Sequence, residues 1–402
     1  MNTKLDELLN PLEVHPRWPF DRLKQFAAEK SLNYLDAYVV AVTGTNGKGS
    51  MVAALEALCI AKGLRVASFS SPHLLSVTER IRFQGQPVSE SSLLAALKTV
   101  LPLADELGYF TALFFTAIIL FQAQKLDVVI LEVGVGGRLD PINIVDADLC
   151  IITQVALDHR EVLGDTRDAI AYEKAGLMRK GAWCVFCEAD RPKMVDDEAR
   201  RIGAKLVCLG RDFKVTQSYG AKSFSDELMA SVLAINKRWP LTLDENTVVK
   251  TLLNIQPLGR CQLLDTEPKI LLDVAHNPAA CERLALRLKA RGLSPDVTLC
   301  QFKGNKAVAE SLGFLRDQLG EVFVFPKLGE KMLPPEAMQA VLHDVGIAAI
   351  RPFSKLEIAF DEALSRAPKD GVILVFGSFL LVGAVIALLK GRGLWITKPN
   401  AV

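Results

Sequence analysis

Short apolar runs alternate with longer amphipathic segments over the first part of the sequence. The short runs predict β-strands at residues 39–43, 66–70, 128–133, 149–155, 183–187 and 206–209. The longer segments, in which apolar residues recur with helical spacing, predict helices at residues 51–62, 91–107, 113–124 and 166–178. Strands that alternate with helices in this way are typical of an α/β fold with a mostly parallel sheet.

A second series of the same kind follows. It predicts strands at residues 270–275, 296–301, 322–325 and 372–376, and helices at residues 279–290, 306–319, 335–345 and 356–365. Between the two series a helical pattern stops at Pro257 and Gly259, and such residues end helices and mark linkers. We therefore predict an N-terminal domain over residues 1–256, a linker over 257–262 and a smaller C-terminal, Rossmann-like α/β domain over 263–402. The length of 402 residues agrees, since one core rarely organises so long a chain.

Composition narrows the class of protein. Hydrophobic residues make up 50% of the chain and charged residues 23%, which is typical of a soluble globular enzyme. A net charge of +1 gives no reason to expect nucleic acid or an anionic membrane surface as a partner. The apolar stretch 110–121 is too short to span a bilayer. The stretch 372–389 is divided by Gly377 and Ser378, so we interpret it as a buried strand, turn and helix.

The N-terminal segment and the cysteines bear on location. Residues 1–10 are polar and acidic and show no signal-peptide pattern. The 8 cysteines are scattered; Cys184 and Cys187 form a C-x-x-C inside an apolar run, with no second pair to complete a zinc site. Core thiols in a reducing cytoplasm are therefore expected.

Residues 43–50 read Thr-Gly-Thr-Asn-Gly-Lys-Gly-Ser and stand between a predicted strand and a predicted helix. Glycines let backbone N–H groups approach a phosphate with no Cβ in the way, and the N-terminus of the following helix favours anions. Lys48 can bridge the outer phosphates of a nucleotide, and Ser50 can reach a phosphate or Mg²⁺. The spacing departs from a strict Walker A motif because Gly49 stands between Lys48 and Ser50. We predict a P-loop ATPase-like N-terminal domain that binds phosphates here.

Polar segments follow several predicted strands, at the edge where open α/β sheets bind ligands. They are Ser71-Pro72-His73, Glu132 to Asp140, Asp158-His159 and Asp273 to Pro278. Bound phosphates need a hard cation, and Mg²⁺ prefers oxygen ligands. Glu132 and the Ser71 hydroxyl would supply such oxygens, whereas His159 would indicate a specialised or second metal site. Arg138 and Asp140 would fix the polar groups of a ligand. Metal-assisted phosphoryl transfer is the chemistry that fits these segments.

The chain resembles the folylpolyglutamate synthase/dihydrofolate synthase branch of the Mur ligase superfamily in a series of segments that occur in the family's order. They are GTNGKGS (44–50), SPHL (71–74), ERI (79–81), LEVGVGGRLD (131–140), LDH (157–159), EKAGL (173–177), LGRCQ (258–262) and DVAHNP (273–278). The resemblance implies an ATP-dependent amide ligase that phosphorylates the carboxylate of dihydropteroate or of a folate glutamate tail. The amine of L-glutamate then attacks the acyl phosphate. It further implies one enzyme with both activities.

The resemblance also implies roles for individual residues. ATP would be bound by Gly44, Thr45, Asn46, Gly47, Lys48, Gly49, Ser50, Arg260, Asp273, His276 and Asn277. One or two Mg²⁺ ions would be bound by Ser71, Glu132 and His159, and by Lys174 if that residue is carbamylated. Lys48, Lys174 and His159 would act in catalysis. A bare ammonium would repel Mg²⁺, whereas a carbamate presents anionic oxygens; the alternative is a surface ion pair between Lys174 and a neighbour such as Glu173.

Three single positions and one segment depart from the family's pattern. Leu113 replaces a usual glutamate, Leu258 a proline and Arg160 a threonine, and Gly304-Asn305-Lys306 stands for an Asp-Lys-Asp segment. These changes concern the recognition of the pterin and of glutamate, and dihydrofolate synthase is the activity they affect more.

Three other interpretations remain open. One is a Mur-type ligase for another carboxylate acceptor, which the SPHL and GGRLD segments disfavour. Another is a folate- or nucleotide-binding paralogue without turnover, which the intact Lys48, Glu132, His159 and Lys174 disfavour. The third is a simple P-loop kinase or GTPase, which would not need the second domain. We expect small-molecule substrates, no nucleic-acid or membrane partner, and a monomer, because no exposed apolar helix stands out.

Overall fold

The computed structural model describes residues 4–9, 12, 18–103, 107–219, 223–238, 242–347 and 350–395. Within these ranges the chain forms two compact units, one within Met1–Ile255 and one within Gln256–Ala401. Each unit has its own β-sheet. The predicted two-domain α/β class with mostly parallel sheets is confirmed.

The sheet of the first unit has the strand order β4-β3-β2-β5-β1-β6-β7-β8. Its strands are β1 (Tyr38–Thr43), β2 (Val66–Phe69), β3 (Ile81–Phe83), β4 (Gln86–Pro87), β5 (Val128–Glu132), β6 (Leu149–Ile152), β7 (Trp183–Phe186) and β8 (Lys205–Cys208). The strands from β2 to β8 in this order are parallel, and β3 and β4 extend one edge in antiparallel fashion. Parallel pairing brings the carboxyl ends of β1, β2, β5 and β6 to one edge of the sheet.

Helices connect these strands. They are α1 (Lys4–Leu9), α2 (Phe20–Glu29), α3 (Lys48–Ala61), α4 (Glu90–Val100), α5 (Tyr109–Gln122), α6 (Arg160–Leu163), α7 (Arg167–Ala175), α8 (Lys193–Ile202), α9 (Asp226–Asn236) and α10 (Glu245–Leu253). Single 3₁₀ turns occur at Val77–Arg80, Leu101–Leu103 and Pro141–Ile144. The central strand β1 shows why the sheet is covered on both faces. Val39 and Ala41 pack into one hydrophobic core, and Val40 and Val42 pack into the other.

The sheet of the second unit has the order β13-β12-β11-β14-β10-β9, in which β9 is the antiparallel edge strand. Its strands are β9 (Gln262–Leu264), β10 (Lys269–Leu272), β11 (Val297–Cys300), β12 (Glu321–Val324), β13 (Ile350–Pro352) and β14 (Val372–Phe376). Its helices are α11 (Pro278–Ala290), α12 (Val308–Gly313), α13 (Pro335–Asp344), α14 (Leu356–Arg366) and α15 (Phe379–Gly391), with a 3₁₀ turn at Arg316–Gln318.

Several predicted elements differ from the observed ones at their ends. The predicted helix 306–319 is wrong in its C-terminal part, because the chain leaves the helix after Gly313 and makes a 3₁₀ turn at Arg316–Gln318. The predicted helix 91–107 becomes α4 and a 3₁₀ turn, and residues 104–106 of it lie outside the described residues. The short strands β3, β4, β9 and β13, at or next to a sheet edge, were not predicted, since two or three residues carry no clear alternation.

The apolar stretch that follows residue 371 is β14, a turn and α15, as the sequence indicates. In the part of the chain that the structure describes, no helix is both long and apolar enough to cross a membrane. All eight cysteines are buried and carry free thiols.

Candidate functional site

The glycine-rich loop of residues 44–47 joins the end of β1 to the start of α3. Gly44 has a φ of +146° and Gly47 a φ of +86°, conformations that side chains with a Cβ rarely adopt. A Cβ on Gly44 would also lie 1.9 Å from the Thr153 hydroxyl oxygen. The loop can therefore take this shape only if residue 44 is glycine.

Residues after β6 hold this loop in place. The Thr153 hydroxyl donates to the Asn46 carbonyl at 2.6 Å, and the Thr45 N–H donates to the Gln154 carbonyl at 2.8 Å. The Asn46 amide donates to the Gln154 side-chain oxygen at 3.0 Å. The Thr45 hydroxyl donates to the Ala156 carbonyl at 3.0 Å. Thr153 and Gln154 were not predicted as site residues; the signal was present, since two polar residues end an apolar run.

Lys48 is the first residue of α3. Its Nζ donates to the Gly44 carbonyl at 2.9 Å, so the ammonium lies across the loop. The residue before α3 is Gly47, which has no side chain to cap the helix, and the first turn contains no acidic residue. Ser50 is buried in this turn. The N–H groups of a helix start attract anions, and here a lysine adds a full positive charge. This loop and helix start fit a nucleotide's phosphates.

Glu132 ends β5, and its carboxylate is buried, with 2% of the residue exposed. The backbone N–H of Ser71, which follows β2, donates to Glu132 Oε2 at 3.3 Å. The structure thus brings these two predicted metal ligands together. Among the described residues, no three His, Cys, Asp or Glu side chains converge as a metal-binding group. A buried carboxylate beside Ser71 would suit Mg²⁺, which usually retains several waters and binds substrate phosphates.

Lys174 lies in the last turn of α7 and is buried, with 3% of the residue exposed. Loss of hydration and then the charge of Lys48 lower the pKa of Lys174 to about 7, against the opposing effects of Asp158, Asp140 and Glu173. A surface ion pair with Glu173, the alternative raised by the sequence, is wrong because the amine is not at the surface. Near neutral pH a large fraction of this amine is uncharged, as reaction with carbon dioxide requires.

His159 precedes α6 and adopts a left-handed backbone conformation, with a φ of +50°. Its side chain is 38% exposed, and its Nδ1 lies 3.8 Å from a carboxylate oxygen of Glu161. The neighbouring Asp158 accepts the His159 N–H at 2.9 Å and raises the pKa of Lys174. Strained conformations of residues other than glycine often occur at functional sites.

The loop after β5 uses Asp140 and Arg138 differently from the sequence-based expectation that they fix a ligand. Asp140 Oδ2 accepts the N–H groups of Gly134 and Val135, each at 3.1 Å, and Oδ1 accepts that of Ile142 at 3.0 Å. Arg138 donates to the side chain of a buried glutamate on α8. In the structure both side chains make hydrogen bonds with other groups of the protein.

In the second unit, Asp273 follows β10. Its carboxylate accepts the N–H groups of Cys261 and Ala275, both at 2.7 Å. Burial raises the pKa of Asp273, and the nearby Arg287 opposes that shift. His276 contacts its own loop, with 2.8 Å between its Nδ1 and the Val274 carbonyl oxygen.

Two further predicted residues of this unit have structural contacts of their own. The Asn277 side chain caps α11 by accepting the Ala280 N–H at 3.0 Å. The Arg260 guanidinium carbon lies 6.0 Å from the centre of the Phe379 ring, and the His276 ring centre lies 5.9 Å from the same ring. Arg260 and His276 therefore approach one aromatic side chain at the start of α15.

The departures from the family pattern fall in different environments. Leu113 on α5 is fully buried in a hydrophobic core. Arg160 pairs with Asp165 at the surface, with 2.8 Å between the charged groups. The segment 304–306 forms a turn in which the Lys306 N–H donates to the Lys303 carbonyl at 3.2 Å.

Comparison with known proteins agrees with this arrangement. Residues 42–239 match the Mur ligase middle domain, and residues 259–379 match the glutamate ligase domain of Mur ligases. The two units thus match two successive domains of Mur ligases, which defines the class of protein. A dihydrofolate synthase/folylpolyglutamate synthase of Escherichia coli is 32% identical over 390 residues, covering 92% of this chain and 91% of the relative. The chain belongs to the dihydrofolate synthase/folylpolyglutamate synthase family of Mur ligases.

Solved structures extend the comparison to the fold. The E. coli FolC complex with DHPP and ADP has a TM-score of 0.90 and 32% identity, covering 97% of this chain and 99% of that chain. A bifunctional folylpolyglutamate synthase/dihydrofolate synthase with Mn, AMPPNP and L-glutamate bound has a TM-score of 0.89 and 34% identity. That comparison covers 96% of this chain and 98% of the other. The likeness therefore extends over both units.

Proposed function

We propose that this protein is an ATP-dependent amide ligase that adds L-glutamate to dihydropteroate, forming dihydrofolate, and to tetrahydrofolate and its polyglutamates. The observation that carries the proposal is the likeness, over 97% of the chain, to a FolC whose structure contains DHPP and ADP. The glycine-rich loop, Lys48 and the buried Glu132 supply the groups that such a reaction needs.

The reaction has two steps. In the first, an acceptor carboxylate oxygen bonds to the terminal phosphorus of ATP while the bond to ADP breaks. In the second, the uncharged amine of L-glutamate attacks the acyl carbon, phosphate leaves and the nitrogen loses a proton. Activation is necessary because a carboxylate is a poor electrophile. The protein contributes mainly by positioning reactants and by stabilising charge.

The first unit binds the phosphates in this proposal. The N–H groups of residues 44–50 and the Lys48 ammonium contact the outer phosphates, and Ser50 contacts a phosphate or the metal ion. Ser71, Glu132 and His159 hold one or two Mg²⁺ ions, with a carbamylated Lys174 as a further ligand. The metal, when bound, neutralises charge on the transferring phosphoryl group.

The second unit serves the nucleotide. Arg260 contacts phosphate, and Asp273 and His276 act near the nucleotide, with Asn277 fixing the start of α11 beside them. We assign residues 1–256 as the ATP-binding domain, 257–262 as the linker and 263–402 as the ligase domain. We also propose a cytoplasmic location, because eight buried free thiols suit a reducing compartment. The protein in this proposal is a monomer and needs no nucleic acid or membrane. Light scattering after gel filtration tests the oligomeric state.

The direct test is Mg²⁺-dependent ADP release from ATP and L-glutamate, with dihydropteroate and tetrahydrofolate supplied separately as acceptor. Mass spectrometry of the products should show one added glutamate on each acceptor. Turnover with tetrahydrofolate alone would restrict the enzyme to folylpolyglutamate synthesis. No turnover with either acceptor by metal-replete protein would overturn the proposed function.

A further inference from the structure

Arg138 links the loop that follows β5 to helices α7 and α8. Its Nη2 donates to Glu198 Oε2 at 2.5 Å and to the Tyr172 carbonyl at 3.0 Å. Its guanidinium carbon lies 3.8 Å from the centre of the Tyr172 ring. A charge-assisted hydrogen bond together with stacking on an aromatic face fixes a guanidinium in both direction and plane.

The main chain of this loop contacts α7 on the N-terminal side of Lys174. The Arg138 N–H donates to the Glu173 carbonyl at 2.7 Å. A Cβ added to Gly137 would lie 2.8 Å from the same carbonyl oxygen and 3.2 Å from the Lys174 Cα. The backbone of the loop therefore lies directly against the residue that carries the buried amine.

The same loop contacts the chain on the C-terminal side of Lys174. A Cβ added to Gly176 would lie 2.7 Å from the Arg138 Cα. The Asn143 side-chain amide donates to the Arg138 carbonyl at 2.8 Å and to the Gly176 carbonyl at 3.3 Å. Contacts on both sides of Lys174 thus tie the end of α7 to the loop that follows Glu132.

Glu198 is the anchor of this arrangement, although it lies outside every recognised motif. It is buried on α8, with 4% of the residue exposed. Besides Arg138 it accepts hydrogen bonds from Arg201, at 2.7 and 2.8 Å. Arg201 has a side chain that is 58% exposed and lies on the same helix as Glu198. Arg138 joins Glu198 to the site loop, whereas Arg201 joins it to its own helix.

We infer that Arg138 and Glu198 form a positioning pair, which holds the buried amine of Lys174 in place relative to the Glu132 carboxylate. The inference rests on the proposed function, because only the ligase requires these two groups together. The pair acts through the main chain on both sides of Lys174. Displacement of a reacting group by about 1 Å lowers rates by about 100-fold, so a fixed backbone here has a direct kinetic consequence.

The test compares two arginines that share one carboxylate. We expect Arg138→Gln to lower kcat by about 100-fold and the KM for ATP to change by less than about threefold, since the loop that binds phosphate is untouched. Arg201→Gln, the matched control, should keep kcat within about twofold, because a partly exposed pair contributes little. Arg138→Lys should restore part of the lost kcat, since it keeps the charge opposite Glu198 but not the stacking.

A second readout does not use turnover. In ¹³C-bicarbonate, NMR of the wild type and of Arg201→Gln should show the Lys174 carbamate signal, and Arg138→Gln should weaken it. If Arg138→Gln does not fold, Glu198→Gln replaces it and should lower kcat by about tenfold. Equal kcat values for Arg138→Gln and Arg201→Gln, in folded and active protein, would overturn the positioning pair. No turnover by the wild type would instead overturn the proposed function.

Discussion

The Thr43 hydroxyl donates a hydrogen bond of 2.6 Å to the Gly136 carbonyl, and both residues are buried. Thr43 ends the strand that leads into the glycine-rich loop, and Gly136 lies in the loop that follows Glu132. This hydrogen bond therefore joins two segments that are 93 residues apart in the sequence. The bond therefore contributes to the stability of the first unit.

Thr43→Val should destabilise the first unit. Valine keeps the shape of threonine but removes the donor, which leaves the buried Gly136 carbonyl without this bond. We expect the free energy of unfolding to fall by about 1–3 kcal/mol, measured by urea denaturation. Thr43→Ser keeps a hydroxyl and should retain more of the stability, so a serine variant as unstable as the valine variant would contradict this explanation.

Lys48→Met should remove ligase activity with both acceptors. The ammonium that lies across the glycine-rich loop would be absent, and the loss of one such charge from a phosphate site costs about 100-fold or more in kcat. Lys62→Met is the control, since Lys62 follows the other end of α3 and bonds to the Thr242 carbonyl. Steady-state ADP release measures both variants, and wild-type rates in Lys48→Met would refute the assignment.

Glu132→Gln should weaken the binding of Mg²⁺. The amide has nearly the volume of the carboxylate but lacks its charge, so the Mg²⁺ concentration for half-maximal turnover should rise by about tenfold or more. Glu29→Gln removes an exposed carboxylate on α2 that bonds to the Gln25 side chain, and it should leave the Mg²⁺ dependence unchanged. An unaltered Mg²⁺ titration for Glu132→Gln would show that another residue holds the metal.

Lys174→Met should be more stable than the wild type at low pH in metal-free buffer without carbon dioxide. The pKa of Lys174 is about 7 in the folded protein and near 10.5, its ordinary value, after unfolding. Between these values the unfolded chain binds more protons, so the stability of the wild type rises with pH through that window. The advantage of Lys174→Met should shrink from pH 7 to pH 10. Urea denaturation across this range would contradict the buried amine if the difference stayed constant.

Leu113→Glu tests a departure from the family pattern. Leu113 is fully buried on α5, so a glutamate there would be desolvated inside a hydrophobic core. We expect a loss of about 3 kcal/mol or more in the free energy of unfolding, measured by thermal or urea denaturation. Leu113→Met, a substitution of similar volume, should cost less than about 1.5 kcal/mol. Equal stability of the glutamate variant and the wild type would show that this site is accessible to water.

The sequence predicted the strands well where burial dominates, as at Val372–Phe376, whose observed bounds match the prediction. It extended β6 to residue 155, although the strand ends at Ile152. Thr153 and Gln154 leave the strand because their side chains make hydrogen bonds with Asn46 in the glycine-rich loop, a tertiary contact that the apolar pattern does not report.

Other features could not be predicted from local pattern. Glu198 lies in a helix rich in charged residues, where a carboxylate is usually exposed. Its burial depends on hydrogen bonds from Arg201 on the same helix and from Arg138 on the loop after β5. The orientation of the Arg138 side chain likewise depends on its hydrogen bond to Glu198 on α8. Lys174 could be singled out only by resemblance, since its burial results from the packing of α7 against the loop after β5.

The burial of every native cysteine has a practical consequence for spectroscopy. Burial raises the pKa of the Cys59 and Cys300 thiols to about 12, so few thiolates are present to react near neutral pH. A cysteine introduced at an exposed position, such as Leu286 on α11, would react with a maleimide dye far faster than any native thiol. Fluorophores can therefore be attached to chosen points of the wild-type background without first replacing its own cysteines.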